Sequence, residues 1–394
     1  MKPYEDFVNN MLNAVRSGQG KDPAAATALI HDTLRKAGLM PGAQPDAQPE
    51  APANARTRTP FADLKGMPDW LRQAGTPGGA ATAPGGDWRA RLDALRKGAM
   101  PRSAPAAMPD APGRFLEGSF GNAAGTRRYR LYVPARPAEG PRPLVVMLHG
   151  CTQNAADFAV GTAMHRQAEE QGCLVLYPDQ ERSANSSNCW NWFDAAHQRR
   201  DAGEASILAD MTREVVREHG ADPRRVYVTG LSAGGAMAAV LGAAYPDVYA
   251  AVGVHSGLPA GAARDLMSGL HAMKGSGHVR PAALDRRVPL IVFHGDQDAV
   301  VHPSNGEALY RQFTQAGADT SLREIEERGA AGARRGHTCT TALDGDGRVV
   351  AEHWVVHGAG HAWAGGDPAG SYTDAGGPDA SAEMLRFFLA TRAD

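Results

Sequence analysis

The sequence predicts an α/β protein: a mostly parallel sheet with helices on both faces and an antiparallel hairpin at its opening edge. Along residues 113–394, apolar runs of strand length alternate with stretches of helical periodicity. Those runs are apolar throughout rather than at every second position, as expected of parallel strands covered on both faces. At one junction a β-branched strand (Arg225–Thr229), a glycine-rich turn and an Ala-rich helix (Ala233–Ala244) follow without a gap.

Each element has its own signal. Phe115–Phe120 and Arg127–Val133, joined by Gly121-Asn122-Ala123-Ala124-Gly125, read as the opening hairpin. Pro143–His149 and Cys173–Tyr177 are continuous apolar strands, with a helix between them from roughly Thr162 to Gln171. Gly203–Glu218 places Ile207, Leu208, Met211, Val215 and Val216 on one helical face. Tyr249–Val254 and Arg287–Phe293 are the next strands. Asn305–Thr314 is a helix, Val350–Val356 a late strand and Ala380–Leu389 the closing helix. Asp344-Gly345-Asp346-Gly347 lacks the closing Glu of a calcium loop and reads as a hairpin turn.

Residues 1–112 have a different character. Phe7, Val8, Met11, Leu12 and Val15, and then Ala26, Leu29, Ile30 and Leu34, fall at helical spacing, so residues 1–40 read as a short amphipathic helix pair. Packing on the protein's own core or on a second subunit is favoured over adhesion to an apolar surface, because the polar-face charge is modest and mixed. Residues 41–112 turn to Ala, Pro, Gly and Gln, broken by short helical stretches at Phe61–Gln73 and Trp88–Lys97. Such a stretch buries too little apolar area to offset ordering and reads as a largely disordered linker, with Trp70 and Trp88 as local docking points. The folded domain is expected over 113–394.

A formal charge of −2 gives no basic surface for nucleic acid or anionic lipid. No apolar run is long enough to span a bilayer, and Met1–Gly20 lacks the basic end and apolar core of a signal peptide. A soluble cytoplasmic protein is therefore expected, with secretion disfavoured. The 4 cysteines are too few for a disulfide framework and lack zinc-site spacing. Free thiols are expected, with a Cys151–Cys189 bridge conditional on export.

In open α/β sheets the ligand site lies beyond the carboxyl ends of the strands. After Arg225–Thr229 comes Gly230-Leu231-Ser232-Ala233-Gly234, a complete G-x-S-x-G box between strand and helix. A serine held on so sharp a turn needs neighbours without bulk, and the Ala233 amide is free to bind a developing oxyanion. After Pro143–His149, Gly150 lets the chain turn so that the Cys151 amide can be the second oxyanion donor. After Arg287–Phe293 comes His294-Gly295-Asp296-Gln297-Asp298, with two candidates for an acid that orients a histidine. Asp298 is preferred, with Asp296 assigned an Asx-type bond to its own loop. After the last strand comes His357-Gly358-Ala359-Gly360-His361. His361, beyond the strand end among glycines, is the expected general base, and His357 a structural histidine. The H-x-x-x-H spacing sits on no HExxH helix, so neither a metal nor any other cofactor is expected. Serine, acid and histidine follow in the chain order of the α/β-hydrolase fold.

The segments LHGCTQNAADFA (148–159), YPDQ (177–180), CWNWF (189–193), VYVTGLSAGGAMA (226–238), HGDQDAVV (294–301) and GAGHAW (358–363) resemble the poly(3-hydroxybutyrate) depolymerase-type esterases, whose relatives include feruloyl and acetylxylan esterases. The resemblance implies Ser232 as nucleophile, Asp298 as orienting acid, His361 as base, and Cys151 and Ala233 as oxyanion amides. It also implies that CWNWF lines the substrate cleft. There Trp190 and Trp192 would be flat apolar walls for a methyl-bearing ester chain, or ordinary core. The expected activity is cofactor-free hydrolysis of hydroxyalkanoate esters, in amorphous intracellular polymer or soluble oligomers. The rivals are a feruloyl or acetylxylan carboxylesterase and, from another class, a non-catalytic protein that binds a polyhydroxyalkanoate granule surface through residues 1–40.

Overall fold

The computed structural model describes residues 107–276, 283–284, 286–316, 323–329 and 334–392. The expected N-terminal helix pair, nearly all of the linker with its two short helices, and Trp70 and Trp88 lie outside the described residues.

The described elements are β1 (Arg114–Asn122), β2 (Gly125–Val133), β3 (Arg142–Leu148), α1 (Ala155–Thr162), α2 (Met164–Gln171), β4 (Leu174–Pro178), α3 (Gly203–His219), β5 (Ala221–Leu231), α4 (Ala233–Ala244), β6 (Ala251–His255), α5 (Leu266–Met273), β7 (Leu290–Gly295), α6 (Ser304–Thr314), β8 (Arg323–Gly329), β9 (His337–Leu343), β10 (Val349–Val356), β11 (Trp363–Ala364), β12 (Thr373–Asp374) and α7 (Ala380–Leu389). A 10-stranded sheet runs β1-β2-β4-β3-β5-β6-β7-β10-β9-β8. From β4 to β10 neighbouring strands are parallel. The β1–β2 hairpin on one side and β9–β8 on the other are antiparallel.

The side-chain alternation of β3 divides the core in two. Leu144, Val146 and Leu148 join α3, α4 and α6 on one face, while Val145 and Met147 join α1, α2 and α7 on the other. Both faces being covered explains why β3 beyond Arg142, and all of β6 and β7, are buried and largely apolar. The Ala-rich α4 is buried on nearly every side, because small residues let it sit directly on the sheet.

Three features depart from the expected pattern. The helix expected near Thr162–Gln171 is α2, and a further helix without an assigned signal, α1, precedes it, the two separated by Ala163 in the left-handed region at φ 50°. The β8–β9 pair and α5 had no sequence signal: β8 is charged and exposed at the sheet edge, so it carries no core-facing period. The Cys151 and Cys189 thiols expected to be free form a disulfide, with Cα atoms 4.2 Å apart. Hydrogen bonds from Thr152 N to Ser187 O (2.7 Å) and from Asn188 Nδ2 to Gln153 O (3.3 Å) clamp the two loops together. Cys173 and Cys339 are free and buried. The Asp344–Gly347 turn joins β9 to β10, with the Asp344 carboxylate accepting from the amides of Asp346 and Arg348.

Candidate active site

Ser232 sits between β5 and α4 with φ 57° and ψ −119°, a conformation that costs a non-glycine residue roughly 1–3 kcal/mol. Its surroundings enforce it. The Ser232 amide donates to His255 O at 2.9 Å, and its carbonyl accepts from Ala236 N at 2.9 Å. The glycines of the box are required by close backbone approach: a Cβ on Gly234 would lie 2.0 Å from Leu148 O, and one on Gly230 would lie 2.5 Å from the same oxygen. Ala233 opens α4, so its amide has no acceptor within the helix. Across the turn, a Cβ on Gly150 would lie 3.7 Å from Ser232 Cβ, which places the β3 loop against the serine. Among the described residues the Cys151 amide has no hydrogen-bond partner.

The acid and the histidine follow adjacent parallel strands, β7 and β10. Asp298 is 4 % exposed and accepts on both oxygens. Oδ1 takes the amides of Val300 and Val301, each at 2.9 Å. Oδ2 takes His361 Nδ1 at 2.7 Å and faces His294 Nε2 at 3.5 Å. Burial alone would raise this carboxyl, but the donors from His294, His361 and Val301 outweigh it and hold it well below the usual carboxylate range. A carboxylate at Nδ1 leaves the His361 Nε2 lone pair free to take a proton.

The Asx-type bond assigned to Asp296 belongs instead to Asp298, through Val300 N. Asp296 accepts from Gly358 N at 2.7 Å and faces His357 Nδ1 at 3.3 Å, while His357 Nε2 meets Thr338 Oγ1 at 3.0 Å. The two histidines of the H-x-x-x-H spacing therefore pair with different carboxylates.

His255, at the carboxyl end of β6, was not singled out in the sequence, although asking what ends each strand would have found it. Its carbonyl holds the serine amide, and its Nε2 accepts from Ala364 N at 2.9 Å, just past His361. It lies between Phe293 and Trp363, and burial pushes it down to about 3, so the ring is neutral. Serine turn, acid loop and histidine loop thus meet at one rim. The Ser232 hydroxyl itself has no hydrogen bond to the His361 ring.

Of the two readings left open for the tryptophans, cleft walls or ordinary core, their burial favours core. Trp190 is 0 % exposed and donates through Nε1 to His149 O at 3.1 Å; it is a strut with no surface to offer a ligand. Trp192 is 6 % exposed, packed edge-on against Phe193 and beneath Gly269 of α5. A strut under that loop was also missed: the buried carboxylate of Glu204. It accepts from Arg127 (3.0 Å), Asn191 N (2.7 Å) and Asn191 Nδ2 (2.8 Å), and from Gln180 Nε2. Its signal was position: Glu204 falls on the face of α3 that buries Ile207, Leu208 and Met211.

A strained serine at a strand-to-helix turn, beside a buried Asp–His pair at the carboxyl edge of a mostly parallel sheet, defines an α/β-hydrolase. The fold of an acetyl xylan esterase from Aspergillus awamori matches over 71 % of this chain and 100 % of that one, with a TM-score of 0.53 at 22 % identity. Residues 127–340, more than half of the chain, match the family described as Esterase PHB depolymerase, and the protein belongs to that family. It is 35 % identical over 209 residues to the poly(3-hydroxyalkanoate) depolymerase C of Paucimonas lemoignei, covering 50 % of each chain. It is 31 % identical over 214 residues to a probable acetylxylan esterase A of Aspergillus fumigatus, covering 50 % of this chain and 56 % of that one. The chain spans about half the length of these curated relatives.

Proposed function

We propose that this chain is a serine carboxylesterase that hydrolyses hydroxyalkanoate esters through an acyl-enzyme. The observation that carries the reading is the 2.7 Å bond from His361 Nδ1 to the buried Asp298 carboxylate, on the loop beside the Ser232 turn. In the proposed reaction His361 Nε2 takes the Ser232 proton as the oxygen attacks the ester carbonyl, and the Cys151 and Ala233 amides hold the oxyanion. His361 then protonates the departing alcohol. Water, activated by the same ring, releases the hydroxy acid. The missing Ser232–His361 bond fits a free enzyme, because such contacts often tighten only when substrate binds. No cofactor enters this scheme.

Similarity to a poly(3-hydroxyalkanoate) depolymerase supports the polyester or its oligomers as substrate; similarity to an acetylxylan esterase supports acyl groups on polysaccharide as the second reading. Ser232→Ala should abolish turnover of a short nitrophenyl ester while leaving thermal unfolding unchanged; turnover near the parent rate would refute the nucleophile. Hydroxybutyrate trimer against acetylated xylan and methyl ferulate, with products sized, then chooses the substrate. Cleavage of the trimer alone is the expected result.

Granule adhesion through residues 1–40 is a finer proposal. In the full chain, Phe7→Asp with Met11→Asp should reduce co-sedimentation with polyester granules, and unchanged co-sedimentation would end it. For compartment, a cytoplasmic location would keep thiols reduced, whereas the Cys151–Cys189 bridge favours an oxidising space. Thiol titration of protein taken from each cell fraction decides between them.

A further inference from the structure

His294 stands near the carboxyl end of β7, is 1 % exposed and has no part in the reaction proposed above. Its Nε2 lies 2.9 Å from Val301 O and 3.5 Å from Asp298 Oδ2. A carbonyl and a carboxylate only accept, so Nε2 carries a hydrogen. Among the described residues Nδ1 is buried with no hydrogen-bond partner. The ring cannot withdraw toward that side, because α6 is packed against it: a Cβ on Gly306 would lie 3.0 Å from Nδ1. Its polar contacts among the described residues are thus with the acid loop.

The carboxylate oxygen it faces is the one that orients the general base. Oδ2 receives His361 Nδ1 at 2.7 Å, whereas Oδ1 receives the amides of Val300 and Val301. Those two amides, with the bond from Asp298 N to Gly295 O at 3.2 Å, hold the carboxylate in place without His294. What the ring adds is therefore an effect on charge. A donor beside a carboxylate stabilises its negative charge, and less of that charge is left to favour a proton on a second partner.

We infer that His294 is a positioning residue of the Asp298–His361 pair: its Nε2–H shares Asp298 Oδ2 with His361 and so limits how firmly the acid holds the protonated general base. The inference rests on the reading of His361 as the base that serves Ser232. Two further rings face His294, His255 from β6 and His353 from β10 across Gly306. Burial pushes them down to about 3 and about 4, so neither adds charge to the site near neutral pH. Asp296 and His357 pair with each other on the outer side.

The test uses the full chain and 4-nitrophenyl butyrate, with kcat/KM followed from about pH 5 to 9 in the parent, His294→Leu, His294→Gln and Ser232→Ala. The acid limb of that profile reports the base of the free enzyme. Leucine fills the space without a donor, so the full charge of Oδ2 falls on His361. The limb should then move to higher pH by roughly half to one unit, the worth of one hydrogen bond. On the limb that is about a three- to tenfold loss of kcat/KM, and it disappears on the alkaline plateau. Glutamine carries an N–H close to the place of the ring's Nε2–H, so His294→Gln should keep the parent limb. A limb that stays in place or moves to lower pH in His294→Leu overturns the inference, because a loosened loop would cost activity at every pH. A limb displaced as far in His294→Gln as in His294→Leu overturns it too. If His294→Leu does not fold, His294→Asn replaces it, since the shorter amide stops on the Nδ1 side and leaves Oδ2 unshared. A higher limb in Asn than in Gln supports the role, and equal limbs overturn it. Ser232→Ala separates the two levels. Full activity there refutes the nucleophile, whereas an inactive Ser232→Ala beside an unmoved limb in His294→Leu removes only the sharing.

Discussion

The acid and histidine loops carry two His–Asp pairs of the same composition, and the two are built differently. Asp298 and His361 meet at 2.7 Å with side-chain exposures of 0 % and 9 %; Asp296 and His357 face each other at 3.3 Å with exposures of 34 % and 48 %. The inner carboxylate is bonded on both oxygens and reached by a second histidine, His294. The outer one is shared with water and ties down Gly358. In a low-dielectric site the inner pair gains strength and keeps its geometry; at the surface the outer pair is screened. The two acids stand two residues apart and the two histidines four, yet one pair is buried and the other fastens a loop at the surface.

The largest effect that could break this contrast is kinetic. Asp298→Asn should lower kcat by about 10⁴-fold, the cost of presenting the wrong tautomer to the nucleophile. Asp296→Asn should leave kcat within roughly threefold under the same assay, as a surface change away from the chemistry. Comparable losses in both would erase the distinction.

Stability gives the next effect. Asp298→Ala strands the amides of Val300 and Val301 and should cost about 3 kcal/mol in denaturant unfolding.

The contrast extends to other buried rings. Burial pushes His255 down to about 3 and His165 and His353 down to about 4. In the unfolded chain such rings bind a proton near pH 6.5, as ordinary histidines do. Between those values the unfolded state holds more protons, so stability is full above about pH 6.5 and drains as pH falls toward 4. The slope should reach about 1.4 kcal/mol per pH unit for each ring. Asp298 acts below that window, because its contribution fades only once pH falls under the ordinary carboxylate range. Melting temperatures from pH 8 to 4 check the sign, and a flat curve would mean that the rings are charged in the folded protein. The smallest effect belongs to the outer pair: Asp296→Asn should change unfolding free energy by at most about 1 kcal/mol, and less in high salt.

How legible this was in the sequence depended on burial. Central strands announce themselves because both faces are covered, so β3, β6 and β7 are runs of largely apolar residues. Edge strand β8 has no such constraint and reads as loop. The loops bearing Ser232, Asp298 and His361 were legible because the ends of parallel strands converge on one edge. Which carboxylate turns inward was only a preference in the sequence, since Asp296 and Asp298 share a loop and either can reach a histidine. The struts were illegible for another reason. Trp190 and Glu204 act through what they touch, and no spacing in the chain says that an indole will hold His149 O or that an acid will gather Gln180 and Asn191. The Cys151–Cys189 bridge was legible only as a pairing conditional on export, because a 38-residue separation does not say that the two loops meet.

One residue, His255, holds the Ser232 turn through its backbone carbonyl and the segment just past His361 through its ring. It acts as a clasp. Any guest that pushes the 361–364 segment outward must tug on the serine elbow in the same stroke, so alignment of the two partners is kept by shared attachment rather than by the stiffness of either loop.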